Sequence, residues 1–212
     1  MAFKHLLQAL ALLVLGVMPQ PAGAGPLQIV GFGDSLMAGY QLAPGDRFTD
    51  QLEKALRDKG FDVSVANAGV SGDTTSGGLA RLDWSVPDGT ALVILEFGGN
   101  DMLRGIDPAL VDKNLDAMLA RLKERDIPVL LAGMVAAPNL GHAYGEAFGA
   151  IYPRLAEKYG VSLYPFFLEG VAGNPALQLE DAMHPNAAGV KRIVEGILPM
   201  VEKAVSTSQS KS

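Results

Sequence analysis

Short strand-like runs at residues 27–32, 62–66, 91–97, 128–134 and 161–164 alternate with longer stretches at helical spacing, and few folds accommodate that rhythm. The run 91–97 is almost continuously apolar, as suits a strand covered on both faces inside a parallel sheet. Residues 46–59 carry Phe48, Leu52, Ala55 and Leu56 at helical spacing and meet a stop signal at Gly60. Residues 108–125 read as an amphipathic helix, 146–159 as another despite Pro153, and 186–205 as a closing helix. Parallel strands joined by right-handed helical crossovers leave helices on both faces of the sheet. The expected fold is therefore α/β, a three-layer α/β/α sandwich around a central, mostly parallel five-stranded sheet. Ligands of such sheets bind beyond the carboxyl ends of the strands, so the residues just after each strand are where chemistry is expected.

Composition sets the outer limits. With 212 residues, 49% of them hydrophobic and 19% charged, the chain suits one domain with a sizeable core. A net charge of −6 without any cluster of Lys and Arg excludes a nucleic-acid partner, because the phosphate backbone must be neutralised by such a cluster. Cysteine is absent, which removes disulfides, thiolate metal sites and a cysteine nucleophile together. At the N-terminus, Lys4 and His5 precede an apolar run over 6–18, then Pro19, Pro21 and the small residues Ala22-Gly23-Ala24. That is the layout of a signal peptide, and the run is short of the ~20 residues that span a bilayer. Residues 1–24 are thus expected to be removed on export, to the periplasm or the exterior, leaving no stable membrane anchor. Residues 25–205 then form the domain, and the Ser-rich stretch 206–212 a disordered tail. Nothing in the sequence fixes the oligomeric state.

After the first strand comes Gly31-Phe32-Gly33-Asp34-Ser35-Leu36, which puts a serine hydroxyl, flanked by small residues, where the strand gives way. Alone, Asp-Ser is as readily a turn or a helix cap as a reactive site. A serine nucleophile needs a base, normally histidine, held in turn by an acid. Beyond His5 the chain has only His142 and His184. His184 stands in Glu180-Asp181-Ala182-Met183-His184-Pro185, between the last strand and the closing helix. In a tight loop the Asp181 carboxylate reaches the imidazole Nδ1, which leaves Nε2 for the serine proton. The plainer reading of Asp-x-x-His-Pro is a polar helix entry. His142 has no acid in the three residues before it and is expected at the surface or lining a cleft. An oxyanion also needs donors. Asn67-Ala68-Gly69-Val70-Ser71-Gly72-Asp73-Thr74 follows the second strand and Gly98-Gly99-Asn100-Asp101 the third, each also explicable as a glycine turn or an Asx-turn.

In this order, Gly33-Asp34-Ser35-Leu36, Gly72 within Ser71-Gly72-Asp73, Gly99-Asn100-Asp101 and Asp181-x-x-His184-Pro185 resemble the successive blocks of the SGNH (GDSL) hydrolases. The resemblance covers the whole span from the first strand to the closing helix. It implies the flavodoxin-like fold of that family and an activity on carboxylic esters and thioesters. It further implies Ser35 as nucleophile, His184 as base, Asp181 as orienting acid, and the Ser35 N–H, Gly72 and Asn100 as oxyanion donors. The stretch 133–141 falls where relatives carry a loop that helps line the acyl groove, and here it is notably apolar. Met134, Val135, Ala136, Ala137, Pro138 and Leu140 are accordingly expected as groove wall.

No cofactor and no metal are expected, since Asp181 and His184 are already engaged and His142 has no companion ligand. The partner is a small acyl ester or thioester. Two rivals stand beside this reading. A carbohydrate O-deacetylase of the same fold would want a short acyl pocket and a polar groove. A non-catalytic acyl- or lipid-binding protein would leave Ser35 and His184 apart.

Overall fold

The computed structural model describes residues 25–209. The proposed signal peptide, 1–24, lies outside the described residues. In chain order the elements are β1 (Leu27–Gly33), α1 (Ser35–Ala38), α2 (Phe48–Asp58), β2 (Val63–Gly69), α3 (Thr75–Ser85), β3 (Leu92–Glu96), α4 (Gly99–Leu103) and α5 (Pro108–Glu124). They continue with β4 (Val129–Ala132), α6 (His142–Gly149), α7 (Ile151–Tyr159), β5 (Ser162–Tyr164) and α8 (Ala187–Gln209), with short 3₁₀ turns at Pro138–Leu140 and Pro175–Leu177. The five strands are all parallel, in the order β2-β1-β3-β4-β5. Every residue of β3 is buried, as its unbroken apolar run requires. The order reverses between β1 and β3, so the loops after these two strands diverge and open a crevice at the carboxyl edge.

The structure departs from the sequence reading in several places. β2 runs on through Asn67, Ala68 and Gly69, paired with Gly31, Phe32 and Gly33, where a loop is expected. Two features permit this. The Asn67 amide is occupied by the Met37 carbonyl and the Thr49 hydroxyl, and a side chain at Gly69 would collide with the Ala38 backbone. Helix α3 is unforeseen, because Gly77 and Gly78 in its first turn erase the helical signal. The expected helix 146–159 is two helices meeting at Ala150, the first of them starting earlier, at His142. Pro153 falls in the first turn of α7, where its missing N–H has no intrahelical partner to lose. Finally, the closing helix passes Val205 and includes the first residues of the expected tail, as far as Gln209. The Ser206 and Thr207 hydroxyls donate to the carbonyls of Glu202 and Lys203, one turn back, which satisfies these polar groups within the helix.

Candidate active site

Ser35 is the first residue of α1, directly off the end of β1, and is 9% exposed. Asp34 caps this short helix through its carboxylate, which accepts the Leu36 N–H at 3.0 Å. The Ser35 hydroxyl lies 2.9 Å from Nε2 of His184, across 149 residues of sequence. His184 Nδ1 lies 2.6 Å from Asp181 Oδ2, and the other carboxylate oxygen accepts the N–H groups of Met183 and His184 at 2.9 and 3.0 Å. The loop that carries them is a tight reversal. Leu179 N–H donates to the His184 carbonyl, Ala182 sits in the left-handed region with φ of 56°, and the Gln178 amide holds the Ala182 carbonyl. Asp181 and His184 therefore meet by the turn's own geometry. The Tyr40 ring packs on the imidazole with centroids 4.6 Å apart, a contact that no motif announces.

The two glycine-rich loops converge on the same crevice. Asn100, in α4, lines it and donates an amide hydrogen to Asp34 Oδ2 at 2.9 Å, which leaves the second amide hydrogen for a ligand. Ser71 lines the crevice, and Gly72 follows it with φ of +81°, a conformation suited to glycine. Among the described residues no acceptor takes the Gly72 N–H. The Ser35 N–H, at a helix start, has no partner within its helix.

Two buried carboxyls lie behind Ser35. Burial pushes Asp34 up from near 3.8 to about 6, against the opposing pull of the Leu36 N–H and the Asn100 amide. Burial likewise holds Glu96, at the end of β3, well above the carboxylate range, and the neighbouring Asp34 charge adds to this. Glu96 Oε2 accepts the Asp34 N–H at 3.3 Å, and Oε1 has no partner among the described residues. At Asp181 burial also raises the carboxyl, but the His184 and Met183 N–H groups and the imidazole outweigh it and bring it down to about 2.

The crevice is a cavity of about 550 Å³ with a predominantly apolar lining. Of the expected wall residues, Met134, Val135, Ala136, Ala137 and Pro138 line it. Leu140 does not, because the 3₁₀ turn closed by its N–H on the Ala137 carbonyl carries the chain away. Phe166, Leu168, Ala172 and Gly173, from the segment after β5, form a wall the sequence reading missed. His142 stands apart, its side chain 86% exposed and beside Glu146. Among the described residues no helix is long and apolar enough to cross a membrane.

The model of the GDSL-like Lipase/Acylhydrolase family matches residues 32–192. Esterase TesA of Pseudomonas aeruginosa is 40% identical over 191 residues, which cover 90% of this chain and 94% of the relative. An arylesterase of Vibrio mimicus is 41% identical over 77% of this chain and 82% of its own. A thioesterase 1/protease 1/lysophospholipase L1 of Escherichia coli K12 is 39% identical over 78% of this chain and 77% of its own. Among solved structures, the SGNH-hydrolase family esterase AlinE4 superposes with a TM-score of 0.72 at 49% identity, over 86% of this chain and 98% of that one. The crystal structure of TesA gives 0.79 at 39% identity, over 84% and 99%.

Proposed function

Because the chain belongs to the GDSL-like lipase/acylhydrolase family, the SGNH hydrolases, and is an enzyme of ester hydrolysis, we propose that Ser35 is its nucleophile and His184 and Asp181 its base and orienting acid. The observation that carries this reading is the unbroken chain from Asp181 through His184 to Ser35, ending in an apolar cavity. His184 Nε2 takes the proton as Ser35 Oγ attacks the acyl carbonyl, and Asp181 stabilises the imidazolium so formed. The Ser35 and Gly72 N–H groups and the free Asn100 amide hydrogen receive the oxyanion. The imidazolium then protonates the departing alcohol or thiol, leaving Ser35 acylated. Water, deprotonated by His184, attacks the acyl-enzyme, and its collapse returns Ser35 and releases the free acid.

The substrates are carboxylic esters and thioesters whose acyl chain occupies the apolar cavity. That lining favours this class over acetylated sugars, whose hydroxyls would be desolvated against Met134, Val135 and Phe166. Export of the domain, with residues 1–24 removed, belongs to the same reading. The test is hydrolysis of p-nitrophenyl esters from acetate to palmitate, with acyl-CoA, lysophospholipid and an acetylated xylooligosaccharide alongside. Turnover of the acyl esters is expected to vanish almost entirely in Ser35→Ala and in His184→Ala, and the double variant to be little worse than either, since the residues act as one unit. Normal turnover by Ser35→Ala would refute the assignment.

A further inference from the structure

Arg81 is a buried cation that the mechanism above leaves unused. It lies mid-way along α3 and is 8% exposed. Taking a guanidinium out of water is costly unless its donors are met, and here they are met by three separate parts of the site. Nε donates to Asp73 Oδ2 at 2.7 Å, in the residue directly after Gly72. One terminal nitrogen donates to the Ala68 carbonyl at 2.8 Å, near the end of β2, and also to the Ser85 hydroxyl at 3.3 Å. The other donates at 2.8 Å to the Gly33 carbonyl, two residues before Ser35. The planar group lies over the Phe32 ring at 4.4 Å and near that of Phe97 at 5.7 Å, so its plane is fixed as well as its ends.

We propose that Arg81 is a positioning residue, which sets the distance between the Ser35 nucleophile and the Gly72 oxyanion donor by clamping Gly33, Ala68 and Asp73 on one rigid fork. Beyond Arg81, the Gly72 loop is held by Arg104, whose exposed guanidinium donates to the Gly72 carbonyl at 2.7 Å, and by two backbone bonds. Val70 N–H reaches the same Gly33 carbonyl, and Asp73 N–H closes a turn on Val70, so the loop is a short arch hinged at Gly33. Arg81 ties the far foot of that arch, through Asp73, to the strand end that carries the nucleophile. Lysine cannot replace it: an ammonium satisfies Asp73, yet it lacks the planar fork that reaches two carbonyls at the same time. The neighbouring oxyanion element depends on the same helix. Asp101, beside Asn100, is buried and accepts the N–H and hydroxyl of Thr75, the first residue of α3, at 2.9 and 2.6 Å. The helix α3 thus references both oxyanion elements to β1.

The inference rests on the assignment of Ser35 and Gly72 above, and its test separates the two. Active sites are counted by saturating fluorophosphonate labelling, and kcat per labelled site, KM and the affinity for an alkylboronic acid, which forms a tetrahedral adduct on serine, are measured for wild type, Arg81→Lys and Asp73→Asn. A displacement on the order of 1 Å costs roughly 100-fold in rate. In Arg81→Lys kcat per site is expected to fall by ~10–100-fold and boronate affinity to fall with it, while KM stays within about threefold. Asp73→Asn is expected to shift the same two quantities in the same direction by a smaller factor. A merely structural Arg81 would lower the melting temperature and the number of labelled sites, but not kcat per site. If both variants keep kcat per site within about twofold while Ser35→Ala is inactive, the positioning role is overturned and the nucleophile stands. If Ser35→Ala remains active, the assignment beneath it falls instead. Should Arg81→Lys not fold, Asp73→Asn decides by the same criteria.

Discussion

His184 is exchangeable with His142 in composition and separated from it entirely by its neighbours. One imidazole is wedged between Ser35, Asp181 and the Tyr40 ring; the other stands in solvent beside Glu146. His142→Ala is therefore expected to keep most activity, and a loss equal to that of His184→Ala would mean that the wrong base has been chosen. Asp181 has two separable effects, one on stability and one on rate. Its carboxyl is held near 2, below its ordinary 3.8, so its contribution to stability is complete above about 3.8 and is lost as the pH falls toward 2. In the proposed mechanism the same charge favours the imidazolium that forms on proton transfer. Asp181→Asn removes the charge and keeps the shape, so the plateau of kcat/KM should drop while its acidic limb moves to lower pH, because protonated imidazole loses its nearest partner. A pH–rate profile measures both. Wild-type turnover with an unmoved limb would leave Asp181 as a loop cap only.

At the scale of elements, the two walls of the cavity come from chain segments of different legibility. The wall 134–138 follows β4, and its apolar composition after a strand end marked it in the sequence. The wall of Phe166, Leu168, Ala172 and Gly173 follows β5, a three-residue strand, and its residues carry neither a period nor a motif. The same contrast holds across the fold. β1, β3 and the ends of α5 were readable because buried parallel strands and amphipathic helices impose a composition on the chain. Helix α3 was not, since its buried positions Thr75, Gly78, Arg81 and Leu82 are chosen for contacts with Asp101, Phe97 and the strand ends, none of which is local. The proposed trio of Ser35, His184 and Asp181 was legible as residue types, while the Tyr40 contact and the Asp34–Asn100 bond emerge only in three dimensions. If both walls hold the acyl chain, Ala136→Phe, which fills the cavity, should depress turnover of palmitate esters at least tenfold relative to acetate esters. Phe166→Ala, which enlarges it, should move the optimum toward longer chains. Identical chain-length profiles in wild type and both variants would show that acyl chains bind elsewhere.

For the whole molecule, the buried carboxyls behind Ser35 set a stability that falls with rising pH. A carboxyl raised in the folded state binds its proton more tightly there than in the unfolded chain, so folding is favoured while it is protonated. For Asp34 this contribution is complete below about 3.8 and is lost as the pH passes about 6. At about 1.4 kcal/mol per pKa unit, the loss is roughly 3 kcal/mol. Glu96, shifted in the same direction, continues the decline at higher pH. Asp181 works in the opposite sense at the acid end, so these three groups place greatest stability near pH 4. The proposed reaction instead needs a neutral imidazole, so acid works against turnover while it favours the fold. Stability and turnover should thus respond to rising pH in opposite directions. Glu96 is the group on which to test this, because glutamine imitates its protonated form and cannot ionise beside Asp34. Urea unfolding of Glu96→Gln should match wild type at pH 4, to within about 1 kcal/mol, and show greater stability than wild type at pH 8, with a shallower decline between. Equal slopes in the two proteins would mean that Glu96 ionises freely in the folded state, and that the acid-shifted stability optimum has another origin.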